Sequence, residues 1–426
     1  MASVVLYLVA AKGVGAFKEM VLAAKYGTGP VLDAYAVAFN LFTTPVSIFA
    51  SMGAVLVPLL VRLARTSPED QTLFFRECLG LTLLGGVVIA LACAGGIVLA
   101  VRVHWLGVDA TVAHYLIAMA LPLSAMVPMG AVAGLLATRL MSESRFVNAL
   151  LEAAPSVFLA AGALMIGHPG MGVLLWGTLL GFAAYVVALA ALQPKPLINL
   201  APRLRFDSPH WKETGSSFGL MLVAQAIITM SGPADQTIVS HLGPGANATL
   251  GYANRLLMLL NGLGATAVAR ATLPVFAEAH IRNPGGEARL AMRWMKILFV
   301  LSCIAVLVGA LAAPLGVRML FQRGAFTAKD TAAVAEAFRY GLLQLPFYFA
   351  SIIIVQLLVS RREYGVFIIS NSLSLGLKIA FGLALAPIFG IKGVMLASAV
   401  MYAVSFAALS IYGWRRLAHA PNPVPS

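Results

Sequence analysis

Charged side chains inside long apolar runs are the residues of this sequence that could do chemistry. Such groups are costly in a membrane, so each is a functional candidate. Ammonium and guanidinium groups bind phosphate oxygens through charge-assisted hydrogen bonds, and the excess of basic candidates therefore predicts a phosphate or diphosphate ligand. The basic candidates are Lys12, Lys18, Arg255, Arg270 and Lys378, and the acidic ones are Glu19, Asp33, Glu152 and Asp235.

Helical spacing predicts how these charges are presented. Lys12 and Lys18 stand about 120° apart around one helix, so that Lys12 is predicted to face a cavity. Lys18 and Glu19 are neighbours that we expect not to share a face closely, with Glu19 pairing across to another helix. Arg255 and Arg270 are predicted to line one broad face, roughly 22 Å apart. The alternative for each cation is that it extends to the lipid headgroups.

Asp235, Lys378 and Glu152 each allow more than one interpretation. Asp235 follows Ser231-Gly-Pro233, and Lys378 lies in the middle of a later apolar run. They predict either a coupling site in the C-terminal half or a buried ion pair that fixes helix packing. Glu152, with Asn148 one turn earlier, is typical of a structural hydrogen-bonding residue, and a functional role is the alternative.

The composition shows where these charges are embedded. Hydrophobic residues make up 60% of the 426 residues and charged residues only 11%, whereas soluble domains have about a quarter charged. Several stretches are apolar over roughly 18 residues or more, which predicts an all-α membrane protein. No cleavable signal peptide and no large soluble domain are expected.

Other site classes are disfavoured. The cysteines, Cys78, Cys93 and Cys303, fall inside apolar runs and are typical of buried small hydrophobes. The seven histidines are scattered, so no metal site, cofactor or catalytic group is predicted. The net charge of +13 comes mostly from short loops, which argues against a nucleic-acid partner.

Apolar runs between charged or Gly/Pro breaks predict about twelve spans. They lie near 4–25, 31–61, 76–101, 112–138, 146–167, 171–193, 216–241, 249–277, 292–317, 331–359, 365–388 and 391–413. Prolines inside them predict kinks whose freed backbone groups are satisfied by neighbours or by a wet cavity. Most loop Lys and Arg residues follow the even-numbered spans, which predicts that both termini are cytoplasmic in a bacterial inner membrane.

A weak internal repeat predicts two parallel six-helix lobes. Gly27-x-Gly29 precedes span 2 and Gly243-x-Gly245 precedes span 8, and a second pair of Gly-containing segments precedes spans 6 and 12. An even number of spans separates the equivalents, so the lobes are related by an axis along the membrane normal. The predicted organisation is lobe 1–193, linker 194–214, lobe 215–418 and tail 419–426.

Three segments resemble the MurJ/MviN lipid II flippases. The most specific is Arg323-Gly-Ala-Phe-Thr327 with Asp330. The others are Lys12–Phe39, which contains Lys18-Glu19 and Asp33-Ala-Tyr-Ala-Val-Ala-Phe39, and Gly251-Tyr-Ala-Asn-Arg255.

The resemblance implies a fold of the multidrug/oligosaccharidyl-lipid/polysaccharide superfamily and alternating access. It implies flipping of lipid II, an undecaprenyl-diphosphate-linked peptidoglycan precursor, without an enzymatic step. The implied partners are this lipid-linked glycan, membrane lipids, and a coupling ion or the membrane potential. Lys12 and Lys18 stand where the family commonly has arginines, Glu19 stands where it has Asp, and Arg255 matches its span-8 arginine. The implied residues around the diphosphate and sugar are Lys12, Lys18, Glu19, Asp33, Arg255 and Arg270.

Departures from the family pattern keep a second substrate open. The paired arginines and acidic residue of span 2 are replaced in Pro45–Ala54, and the sequence has twelve spans where the family usually has fourteen. Asn371 and Lys378 replace a span-11 pattern that includes an acidic sodium ligand in some members, which makes Asp235, Asn371 and Lys378 the candidates for coupling. The alternatives are a flippase for another polyprenyl-diphosphate oligosaccharide and, less favoured, a cation-drug exporter or an intramembrane glycosyltransferase.

Overall fold

The computed structural model describes residues 2–143, 148–166, 170–193, 201–282, 287–360 and 365–418. All regular structure within these ranges is helical, which confirms the predicted fold class. The helices form two compact units. The first contains the described residues up to Ala248 together with Phe321–Thr327, and the second contains Thr249–Leu320 and the described residues from Ala328 onward.

Helices of the first unit are numbered α1 to α11 in chain order. They are α1 Ala2–Tyr26, α2 Pro30–Ser51, α3 Gly53–Thr66, α4 Pro68–Arg102, α5 Ala110–Ser124, α6 Met126–Ser142, α7 Asn148–Leu151, α8 Ala154–Met165, α9 Met171–Ala191, α10 His210–Thr229 and α11 Ser231–Ser240.

Helices of the second unit continue the numbering. They are α12 Ala246–Arg282, whose first turn belongs to the first unit, α13 Glu287–Phe321, α14 Ala328–Leu342, α15 Leu345–Ser360, α16 Gly365–Phe389 and α17 Ile391–Ala418. Helix α17 packs against α14, α15 and α16. In the first unit α2 has the corresponding central place, between α4, α5, α6, α10 and α11.

Each of the twelve predicted spans coincides with one helix or with two consecutive helices. Within the described residues, seven helical stretches are long and apolar enough to cross a membrane, and the bent pair α14–α15 raises the number to eight. Much of their apolar surface is uncovered. Only 17% of the most apolar window of Leu290–Phe321 is buried, and Leu311 is 82% exposed. Apolar surface of this extent matches a lipid environment.

Prolines mark most of the breaks between consecutive helices of one span. Pro122 lies just before the α5–α6 break, while Pro155, Pro233 and Pro346 lie in the first turns of α8, α11 and α15. Proline lacks the N–H that continues a helix but is tolerated in a first turn, where that N–H has no helical partner. Pro45 is different, because α2 runs through it.

The described part of the predicted linker is packed onto the first unit. Residues 194–200 lie outside the described residues, and α10 already begins at His210, inside the range predicted as linker. Both α10 and α11 pack against α2, so the second packing unit starts at Thr249. The two lobes were predicted from a repeat in the sequence. Packing units do not test such a repeat, so the lobes stay a prediction.

Candidate functional site

Lys18 and Glu19 form an ion pair on α1. The Lys18 Nζ and Glu19 Oε1 atoms are 2.6 Å apart, and the two side chains are 13% and 10% exposed. The prediction that these neighbours do not meet closely was wrong. Their Cβ atoms diverge by about 100° around the helix, but a four-carbon lysine stem is long and flexible enough for its tip to fold back. The fold therefore places a nearly buried charge pair within the first helix.

Aromatic and hydroxyl groups of α2 and α9 support this pair. The Lys18 ammonium lies 5.9 Å from the centroid of the Phe39 ring, a distance at which cation–π attraction operates. Phe39 stacks on Tyr35 with centroids 5.4 Å apart. The Tyr35 hydroxyl is hydrogen-bonded to Thr178 Oγ1 at 2.8 Å inside the unit. Sequence reasoning missed these three residues as site residues, although Tyr35 and Phe39 belong to a segment that carries the family resemblance.

Lys12 lies on the same helix as the pair, and its side chain is exposed. Lys12 and Lys18 are six positions apart, which separates them by roughly 9 Å along the helix axis and by about 120° around it. Both lysines were predicted to bind substrate. The structure keeps them on one continuous helix, with Lys18 nearly buried and Lys12 open to its surroundings.

Asp33 has a structural environment. Its carboxylate Oδ1 accepts a hydrogen bond from the Ala248 backbone N–H at 2.7 Å, and the amides of Gly245 and Asn247 also donate to it. These amides belong to the first turn of α12, where backbone N–H groups have no helical acceptor. Asp33, on α2, thus satisfies the start of a helix more than 200 residues later in the chain. A predicted substrate residue is here a helix cap provided from another helix.

Two turns at the C-terminal end of α1 require glycine. Gly27 has φ +58°, and a Cβ atom added to it would lie 2.6 Å from the carbonyl oxygen of Ala325. Gly324 has φ +57° and faces the Ala24 carbonyl just as closely, while the Ala325 N–H donates to that carbonyl at 2.7 Å. The Arg323–Thr327 segment, the most specific part of the resemblance, therefore packs on the end of α1. That explains its small residues in terms of backbone contact.

The arginines predicted for span 8 lie in the second unit. The Arg255 guanidinium carbon is 5.4 Å from the centroid of the Tyr252 ring, and this side chain is partly buried. Arg270 lies on the same uninterrupted helix α12, but its side chain is outside the described residues. Because Arg255 and Arg270 lie on one continuous helix, their positions along its axis agree with the prediction. The role of both residues stays a prediction.

The residues predicted for coupling are mostly buried. Asp235 on α11 is 6% exposed and belongs to the first unit, whereas Lys378 on α16 is 4% exposed and belongs to the second. Asn371, two turns before Lys378 on α16, is partly buried. Within the described part of the chain no group of three or more His, Cys, Asp or Glu side chains could hold a metal ion.

Glu77 is a buried carboxylate that sequence reasoning missed. It lies on α4, is 0% exposed, and accepts hydrogen bonds from Trp211 Nε1 at 2.6 Å and from the backbone N–H of Asp207 at 2.9 Å and of Ser208 at 3.4 Å. Beside it, Arg76 Nε donates to the Ala201 carbonyl at 2.9 Å. Residues 201–211 are thereby attached to α4. The signal in the sequence was a lone glutamate just before an apolar run, which does not reveal its distant partners.

A family model described as lipid II flippase MurJ matches residues 22–423. A lipid II flippase MurJ of Burkholderia cenocepacia is 25% identical over 346 residues, which cover 77% of this chain and 66% of that protein. A probable lipid II flippase MurJ of Rhizobium meliloti is 26% identical over 409 residues, covering 91% and 75%. A Helicobacter pylori homologue is 32% identical over 169 residues, and the match spans only 36% of its length.

Solved structures show the same fold. A lipid II flippase MurJ in an inward closed conformation superposes with a TM-score of 0.80 at 18% identity, covering 97% of this chain and 90% of the other. An inward-facing multidrug resistance transporter of the MATE family and MOP superfamily gives 0.74 at 14% identity, covering 96% and 94%. The chain therefore has the helical transporter fold that these proteins share.

Proposed function

The chain belongs to the lipid II flippase MurJ family, and from that premise we propose that it moves lipid II across a membrane by alternating access. The observation that carries the proposal is the Lys18–Glu19 pair on α1, a charge pair about nine-tenths buried within the first unit. Charges at such depth are costly and persist where they serve transport. A diphosphate is the part of the ligand that such a cation suits.

The pair offers a chemical reason for reversible binding. While no anion is bound, Glu19 neutralises the Lys18 ammonium and lowers the cost of keeping it out of water. An arriving diphosphate competes for the same ammonium with more negative charge, and on release Glu19 takes the ammonium back. The Phe39 ring gives the ammonium a second favourable contact that does not depend on the ligand.

Other parts of the proposal rest on sequence. Arg255 offers a planar fork of donors that matches phosphate oxygens, and we propose it, with Lys12 and Arg270, as a diphosphate-binding residue. Asp235, Asn371 and Lys378 are proposed for coupling to an ion or to the membrane potential. The positive loops after even-numbered spans support an inner-membrane location with both termini cytoplasmic. A transport step without covalent chemistry is what the family's description as flippases supports.

Complementation of a bacterial strain depleted of its own lipid II flippase tests the proposal. The wild-type chain is expected to restore growth, and Lys18→Ala and Arg255→Ala are each expected to abolish rescue at unchanged membrane levels. Lys18→Arg should retain rescue, because it keeps the positive charge. Arg205→Ala is the matched control, since Arg205 is exposed on residues 201–208.

Two outcomes would overturn the proposal. Full rescue by both Lys18→Ala and Arg255→Ala would exclude the proposed diphosphate contacts. Failure of the correctly inserted wild-type chain to rescue would move the substrate to another polyprenyl-diphosphate oligosaccharide.

A further inference from the structure

An apolar groove lies between α4 and α5 on the first unit, with a volume of about 500 Å³. One face of α4 supplies most of its wall, including Leu91, Gly95, Leu99 and Arg102, and Leu121 of α5 supplies the opposite side. Leu91, Leu99 and Leu121 are each more than half exposed. The volume lies within the range of roughly 300–1,000 Å³ that is typical of small-molecule sites.

Gly95 leaves part of the groove wall without a side chain. Gly95 lies in the middle of its α4 wall, and a Cβ atom added there would meet nothing within 4 Å. The wall from Leu91 to Arg102 spans eleven residues, or about 16 Å of helix. That length and the apolar lining suit an extended hydrocarbon chain lying along α4.

One end of the groove is positively charged. Arg102 is the last residue of α4, its side chain is exposed, and within the described residues no carboxylate is within ion-pair distance of it. Trp105, three residues further on, is 64% exposed. Arginine and tryptophan at the end of a membrane helix are typical of the headgroup region. A helix C-terminus also favours a cation, but that preference does not explain the groove below it.

We propose that this groove binds an anionic membrane phospholipid, with one acyl chain along the Gly95 wall and the headgroup phosphate on Arg102. The apolar wall and the single cation at its end match the two parts of such a lipid. The inference does not depend on which lipid-linked molecule the protein carries, because the groove contains none of the residues proposed to bind it.

Native mass spectrometry of the full-length protein, after incubation with phosphatidylglycerol or phosphatidylcholine of equal chain length, tests the proposal. The wild type is expected to retain one phosphatidylglycerol about tenfold more strongly than phosphatidylcholine, because the choline ammonium cancels the net negative charge of phosphatidylcholine and is repelled by Arg102. Gly95→Leu should abolish retention by filling the groove. Gly96→Leu is the matched control, because Gly96 is equally open but does not line the groove. Arg102→Gln should remove the preference for phosphatidylglycerol, and Arg102→Lys should keep it.

Three results would overturn the proposal. They are equal retention of the two lipids by the wild type, equal retention by wild type and Gly95→Leu, and retention of an added polyprenyl phosphate in place of phosphatidylglycerol. The Arg102 variants change only an exposed side chain, so they decide the question even if Gly95→Leu inserts poorly.

Discussion

Glu77 and Glu19 are two glutamates that the first unit removes from water in different ways. Glu77 is completely buried and accepts hydrogen bonds from an indole and two backbone amides, all of them donors held in place by the fold. Glu19 is paired with a lysine, whose ammonium is carried on a flexible stem. Fixed donors make Glu77 a structural residue. A movable partner leaves Glu19 and Lys18 able to exchange one contact for another.

Asp33 resembles Glu77, because its carboxylate also accepts hydrogen bonds from backbone amides far along the chain. It was predicted with Glu19 as a substrate residue, yet its donors are backbone amides at the start of α12. Both Asp33 and Glu77 connect a helix to a backbone segment far along the chain. Four substitutions test the contrast between carboxylates that hold the backbone and charges that are proposed to bind the ligand.

The largest effect is expected from Glu77→Ala. The substitution leaves the Trp211 indole and two backbone amides without their acceptor, and each buried unsatisfied group costs about 1–3 kcal/mol. A loss of about 4 kcal/mol in unfolding free energy, measured by denaturation in detergent, is expected. Glu69→Ala in the exposed first turn of the same helix is the control, and equal losses for both variants would show that Glu77 does not hold residues 201–211.

A smaller loss is expected from Asp33→Ala. Removing a helix-capping acceptor costs about 0.5–2 kcal/mol, and Asp33→Asn should cost less because its amide oxygen still accepts. Both quantities can be measured by the same denaturation assay. If Asp33→Asn kept full stability but lost rescue of a flippase-depleted strain, the predicted substrate role would be favoured over the capping role.

Glu19→Gln is expected to lower the unfolding free energy by about 1–2 kcal/mol, because Gln keeps an oxygen beside the Lys18 ammonium but no longer neutralises this nearly buried cation. Its main effect should be on function. Lys18 loses the charge that is proposed to neutralise it between transport cycles, so rescue of the depleted strain should be lost while the protein stays folded. If Glu19→Gln lowered stability as much as Glu77→Ala does, its loss of rescue would be explained by unfolding, and Glu19 would be a structural residue like Glu77.

The smallest structural effect is expected from Lys12→Gln. The side chain is exposed, and substitutions at such positions usually change stability by less than about 0.5 kcal/mol. Loss of one proposed diphosphate cation should still reduce rescue, and Lys12→Arg should restore it. Normal rescue by Lys12→Gln would remove Lys12 from the proposed ligand set.

Much of the fold could be predicted from local patterns. Each predicted apolar run coincides with one helix or two consecutive helices, and proline positions mark most of the internal breaks, because hydropathy and a missing N–H act within a few residues. The predictions for Lys18 and Glu19 were partly right. They identified two charges deep in α1 but excluded their contact, because helical angles describe Cβ directions and not the reach of a long side chain.

The sequence alone determined the class of this protein, its helical spans, its family resemblance and its short inventory of embedded charges. Only the tertiary structure decided which partners Glu77, Asp33 and Glu19 have. The donors of Glu77 lie about 130 residues later in the chain and those of Asp33 more than 200 later. No local pattern specifies such partners, because they are brought together by helix packing. The same packing distinguishes a carboxylate that caps a helix, Asp33, from one that is paired with a nearly buried ammonium, Glu19.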